Sequence, residues 1–166
     1  MQFRVDQRYA AARDDVLAAY TDVALYPLLD GLPKIGEPRV LDREQKGHLV
    51  TMRVHYRFVA DLPSAALAVI DPERLTWVDE TVYDLAAGTS TTRLLPDHYA
   101  DRLTASASAT YQSDPSQPAR SARHVRGDLK VRMALVGGKV ERAIAEGLIE
   151  HLTDEARVVE QFLARS

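Results

Sequence analysis

Residues 137–166 read GGKVERAIAEGLIEHLTDEARVVEQFLARS, and their spacing decides the fold. Apolar side chains fall at Val140, Ile144, Leu148, Leu152, Ala156, Val159 and Leu163. Steps of four and three keep them on one face of a single helix. Glu146, Glu150, Thr153, Arg157 and Glu160 take the other side and suit water. The spacing predicts one long amphipathic helix over residues 137–166. A lone long helix must bury its stripe against a large apolar partner. Nearly everything before it alternates with the period of a strand, so that partner is a curved sheet.

Outward from the helix, residues 119–134 form the preceding strand. There Val125, Gly127, Leu129, Val131 and Met133 share one face, and His124, Arg126, Asp128, Lys130 and Arg132 share the other. Residues 101–112 alternate Leu103, Ala105, Ala107, Ala109 and Tyr111 against Thr104, Ser106, Ser108 and Thr110. Residues 89–95 are a β-branched strand after a turn at Ala86-Ala87-Gly88. Residues 75–85 set Trp77, Asp79, Thr81 and Tyr83 against Val78, Glu80 and Val82, and periodicity leaves open which face is inside. Residues 48–60 are the clearest strand. Val50, Met52, Val54, Tyr56 and Phe58 face a core; Thr51, Arg53, His55 and Arg57 face water. Residues 39–45 pair with it through Lys46-Gly47.

At the other end, residues 2–9 alternate as a first strand. Residues 10–22 switch to helical spacing, with Asp14 and Asp15 in the first turn, where the helix dipole favours acids. Residues 23–32 are a second helical piece broken by Pro27. Pro63 opens a short helix over 64–70. The order is strand, two short helices, about six strands, long helix. This is an α+β chain whose sheet of about seven antiparallel strands wraps the last helix.

The chain has 166 residues, enough for one domain with a core and short for two; a single domain over 1–166 is expected. The net charge of -3 argues against a nucleic-acid partner, which calls for a basic face. With no cysteine, disulfides, thiol catalysis and thiolate metal sites are excluded. No apolar stretch approaches the roughly 18 residues of a membrane span. Residues 1–6 alternate like a strand and show no basic-then-apolar leader, so a cytoplasmic location is expected.

Familiar chemical motifs fail on inspection. A phosphate loop ending at Gly138-Lys139 needs a Gly where Met133 stands and a Ser or Thr where Val140 stands. His48, His55, His98, His124 and His151 are far apart and lack the spacing of a zinc site. No G-x-S-x-G elbow is present. Arg53 with Arg57, and Arg123 with Arg126 and Arg132, read as solvated outer faces paired with acids. His55, between two arginines, reads as solvated. Neither a cofactor nor a metal is expected.

The pattern of the whole chain resembles the START-like helix-grip superfamily, also called SRPBCC or polyketide cyclase/lipid-transport. The match is carried by Tyr20-Thr21-Asp22, Leu32-Pro33-Lys34-Ile35, Asp61-Leu62-Pro63-Ser64, Leu75-Thr76-Trp77, Pro96-Asp97 and Gly137-Gly138-Lys139-Val140-Glu141. Within it, the chain is most similar to a domain family of unknown function, which brings no catalytic residues to carry over. The resemblance implies a seven-stranded sheet around the C-terminal helix. It also implies an apolar cavity between them, closed at one end by the two short helices.

On that frame the expected cavity lining is Met52, Val54, Tyr56, Trp77, Tyr83, Ala107, Val125, Leu129, Met133, Ile144, Leu148 and His151. The small residues Ala105, Ala107, Ala109 and Gly127 either let the helix pack close or leave space. One reading is a non-catalytic binder or carrier of a small hydrophobic or amphipathic molecule. A second is a cyclase/aromatase-type enzyme in which Tyr56, Asp79, Tyr83 or His151 moves protons. A third is an interaction module that forms a homodimer through a sheet edge or helix face.

Overall fold

A computed structural model describes residues 1–165. Seven strands form one antiparallel sheet: β1 (Gln2–Tyr9), β2 (Ile35–Lys46), β3 (Leu49–Phe58), β4 (Thr76–Asp84), β5 (Thr89–Pro96), β6 (Leu103–Ser113) and β7 (Ser121–Val131). Their order is β1-β7-β6-β5-β4-β3-β2. From β2 to β7 every strand pairs with its chain neighbour, and β1 adds on at the β7 edge. Two irregularities in the β2–β3 ladder, near Gly36 and Val40, bend that end of the sheet.

Helix α1 (Arg13–Tyr20) follows β1, with Asp14 and Asp15 in its first turn. Next comes a 3₁₀ segment, Val23–Leu29, rather than an α-helix. Pro27 sits inside it and cannot donate the backbone bond an α-turn requires. The Asp22 carboxylate accepts the Ala24 N–H at 2.9 Å and starts the segment. Helix α2 is one turn, Ser64–Leu67, and a short 3₁₀ turn follows at Pro72–Arg74. The last element is helix α3, Gly137–Leu163, 27 residues and about 40 Å long.

Helix α3 makes its closest approaches to β1, β7 and β2, which lie at the two ends of the strand order. The middle of the sheet bows away from it. The start of α3 is held tightly. Glu141 accepts the Val131 N–H at 2.9 Å, and a Cβ at Gly137 would lie 3.0 Å from the Val131 carbonyl oxygen. The inward faces of β3, β6 and β7 are those that alternation predicts, and burial of Trp77, Thr81 and Tyr83 settles the face of β4 that periodicity left open.

The outer face corrects two expectations. His55 is not free in water: its Nε2 lies 2.7 Å from Asp97 Oδ2, because the loop after β5 brings that acid over it. Arg123 does not belong with Arg126 and Arg132. It is in phase with Val125 and points inward, 8% exposed. Arg53 and Arg57 do pair with acids on the outer face, Arg53 with Glu80 at 3.7 Å and Arg57 with Glu37 at 3.1 Å.

Two glycines permit close approaches. Phe3 lies opposite Gly127 in the β1–β7 register, and a Cβ on Gly127 would sit 2.1 Å from the Phe3 ring. On α3, a Cβ on Gly147 would sit 2.6 Å from the buried Phe58 ring. Gly147→Ala gains helix propensity of up to about 1 kcal/mol and still lowers stability, because overpacking costs about 1–3 kcal/mol. Urea unfolding checks this, and the loss shrinks when Phe58→Leu makes room. A stabilised Gly147→Ala protein would mean that the ring yields freely.

Candidate functional site

Where the sheet bows away from α3, a cavity of about 110 Å³ remains. Leu148, His151, Leu152 and Glu155 form its α3 wall. Steps of three, one and three place them on one helix face. Met52, Val54 and Tyr56 of β3, Trp77, Asp79, Thr81 and Tyr83 of β4, and Thr92 and Leu94 of β5 form the sheet wall. Tyr20 from α1 and Leu25, Tyr26 and Leu29 from the 3₁₀ segment close one end. Phe3, Ala105, Ala107, Arg123 and Val125 complete the side towards β1 and β7.

The aromatic groups form a connected series. Tyr56 and Trp77 are cross-strand partners in register and stack with centroids 6.2 Å apart. Tyr56 also meets the His151 ring edge-on at 5.9 Å, which joins sheet to helix. The Trp77 Nε1–H donates to Asp79 Oδ1 at 3.0 Å. Asp79 Oδ2 has no hydrogen-bond partner among the described residues. The Tyr26 hydroxyl donates to the Tyr20 carbonyl at 2.8 Å, fixing the closed end.

A second polar group lies towards β1 and β7. Arg123 Nη1 donates to Glu155 Oε1 at 3.0 Å and to Gln7 Oε1 at 3.1 Å. The Gln7 amide donates to the Leu152 carbonyl. The guanidinium lies over the Tyr20 ring at 4.3 Å and faces Tyr111 at 5.5 Å, favourable cation–π geometry. This network ties β1, β7 and α3 together inside the protein. Removing one partner of such a buried pair costs about 3–5 kcal/mol, since it strands the other charge.

Burial sets the proton states. Asp79 is pushed up to about 7, chiefly by loss of water; the Trp77 hydrogen bond opposes this and the Glu155 charge adds to it. His151 is pulled below the usual histidine range, again chiefly by burial, with Glu155 opposing. Its Nε2 lies 3.7 Å from Glu155 Oε2, and its Nδ1 is buried with no hydrogen-bond partner. Tyr20, Tyr26, Tyr56 and Tyr83 are pushed well above ordinary phenols by burial, so they keep their protons. Burial thus pushes both the Asp79 carboxyl and the His151 imidazole of the cavity wall towards their uncharged forms. Among the described residues, no group of three His, Asp or Glu side chains is placed to hold a metal ion.

Of the twelve residues expected on the wall, nine are there: Met52, Val54, Tyr56, Trp77, Tyr83, Ala107, Val125, Leu148 and His151. Leu129, Met133 and Ile144 are not. Leu129 and Ile144 are buried in the packed core, and Met133 packs against it beyond the end of β7. The pinned start of α3 leaves no gap there. The small residues divide the same way: Gly127 is filled by Phe3, whereas Ala105 and Ala107 border open space. Sequence reasoning misses Arg123, Glu155 and Gln7. Their signal is phase: Gln7 alternates with Val5 and Tyr9, Arg123 with Val125, and Glu155 follows His151 by one helical turn.

Neutral Asp79 favours the fold at pH below its unfolded value of 3.8, and that contribution is lost as pH rises to about 7. Asp79→Asn is therefore expected to gain on the order of 2–4 kcal/mol over the unsubstituted protein at pH 8. The gap closes towards pH 4. Urea titrations at both pH values check this, and a gap independent of pH contradicts it.

Solved structures share this architecture. A Thermus thermophilus protein, TTHA0849, superposes with a TM-score of 0.69 at 11% identity, covering 99% of this chain and 98% of that one. The Zhui aromatase/cyclase from Streptomyces sp. R1128 gives 0.67 at 18% identity, covering 99% and 94%. A START superfamily protein from Mycobacterium smegmatis gives 0.57 at 17%, covering 99% and 97%. The fold is therefore the START-like helix grip. No curated protein sequence matches the chain. The family described as "Protein of unknown function (DUF2505)" matches residues 4–163 of the 166, and the chain belongs to it.

Proposed function

We propose that residues 1–166 act as one START-like unit that binds a small amphipathic molecule in the cavity between the sheet and α3. The observation that carries this reading is the cavity itself, whose apolar and aromatic wall contains a few convergent polar groups. That combination is what a small-molecule site needs. Its size narrows the ligand. At about 110 Å³ it holds on the order of one aromatic ring, against about 300–1,000 Å³ for a drug-sized site. A long lipid chain would require α3 to move off the sheet.

A second reading, an enzyme of the cyclase/aromatase type, is favoured by one specific observation. Tyr56, Asp79, Tyr83 and His151 all line the same cavity, and Asp79 and His151 are shifted in opposite senses, each towards its uncharged form. Such a pair suits proton transfer. The aromatase/cyclase among the similar structures supports the analogy of fold and goes no further.

Native mass spectrometry and thermal-shift screening of compact aromatic and alicyclic metabolites test the binding reading. The expected result is saturable one-to-one binding that raises the melting temperature. Ala107→Phe fills the wall and is expected to weaken binding at least tenfold, while Val82→Phe on the outer face does not. Binding unaffected by Ala107→Phe would place the ligand elsewhere.

A further inference from the structure

We propose that the cavity selects a compact cationic amine, whose ammonium group pairs with Asp79 Oδ2 while its apolar body packs against the Tyr56 and Trp77 rings. This rests on the reading of the cavity as a ligand site and names the chemistry of its ligand. The charges inside the cavity do not balance. Among the described residues, two carboxylates line the cavity, Asp79 and Glu155, and the cationic side chain lining it is Arg123. Arg123 is committed to Glu155 at 3.0 Å and to Gln7 at 3.1 Å. His151 meets the Tyr56 ring edge-on and has Glu155 as its acid neighbour, at 3.7 Å. Asp79 is left with one neutral donor, Trp77 Nε1, and a free oxygen.

A lone carboxylate in apolar surroundings is costly unless a charge meets it. A ligand ammonium supplies that charge, and the surrounding rings favour it further, since a desolvated cation gains from aromatic faces. A carboxylic acid ligand gains no such pairing: Asp79 repels it once ionised, and the Arg123 charge is already met by Glu155, with only the Nε of that guanidinium left without a hydrogen-bond partner. A neutral alcohol fits the space and gains a hydrogen bond without the charge pairing. The site therefore ranks amine above alcohol above acid.

The amine preference is linked to pH through Asp79. The titratable and charged groups that face it are Tyr56 of β3, Tyr83 of β4, Tyr20 and Tyr26 at the closed end, Arg123 of β7, and His151 and Glu155 of α3. The four phenols keep their protons and Arg123 its charge across the neutral range. Neutral Asp79 must lose its proton to pair with the ammonium. Amine affinity therefore rises as pH rises through about 7 and levels off above it.

Benzylamine and benzyl alcohol, titrated by protein-observed NMR from pH 5.5 to 8, test the assignment. Benzylamine is expected to bind about tenfold more weakly at pH 6 than at pH 8, following the ionised fraction of Asp79. Benzyl alcohol is expected to change less than twofold. Asp79→Asn is expected to abolish the amine preference and retain alcohol binding, which also reports that the variant is folded. If both probes bind alike at every pH, or the alcohol alone binds, the amine assignment falls and the cavity remains a ligand site. If neither binds, the amine assignment falls together with that reading.

Discussion

Helix α3 meets the sheet at the two ends of the strand order and stands off from its middle. Everything distinctive about the interior follows from that geometry. A 27-residue helix cannot bury its stripe on a flat surface of comparable length without exposing both, so the sheet curves around it. Where Glu141 and Gly137 hold the helix start against β7, the interior is solid and Ile144 is packed. One to two turns later the helix faces the bowed strands, and Leu148, His151 and Leu152 face a space. The Arg123–Glu155–Gln7 network then binds the same helix back to β7 and β1. The cavity lies between two attachment points rather than beneath a loose helix.

Desolvation organises the chemistry inside. It disfavours the charged form of each ionisable group. It therefore raises Asp79 and lowers His151, and drives each towards its uncharged state. Arg123 bears the same penalty, and its Nε has no hydrogen-bond partner, but a carboxylate, an amide oxygen and two aromatic faces offset the cost. Asp79 has no such shell. A single small cavity thus contains one buried charge with a counter-charge and one carboxyl without.

Much of the architecture is legible one residue at a time. Period-two alternation in residues 48–60 and 101–112 identifies the inward faces, and the stripe at Val140, Ile144 and Val159 identifies the helix. Turn residues mark the hairpins. The errors are of one kind. Arg123 reads as an outer residue because arginine usually is one, although its phase places it beside Val125. His55 reads as solvated because its partner Asp97 lies forty-two residues away. The helix stripe reads as Leu148, Leu152 and Ala156, yet the buried line passes through Gly147, His151 and Glu155, which hydrophobicity alone does not mark.

The amino-acid sequence by itself determined the elements, their order, the antiparallel pairing and most of the inward faces. These follow from periodicity and turn chemistry, which are local. Tertiary structure decided where the interior is full and where it is empty, because that depends on the curvature of seven strands against one helix. At Gly127 the missing side chain is replaced by Phe3 from another strand; at Ala107 nothing replaces it. It also decided which buried charges are paired. Asp79 and Arg123 are both charged residues on inward strand faces, and the position of Glu155 on α3 gives Arg123 a counter-charge while Asp79 keeps a free oxygen.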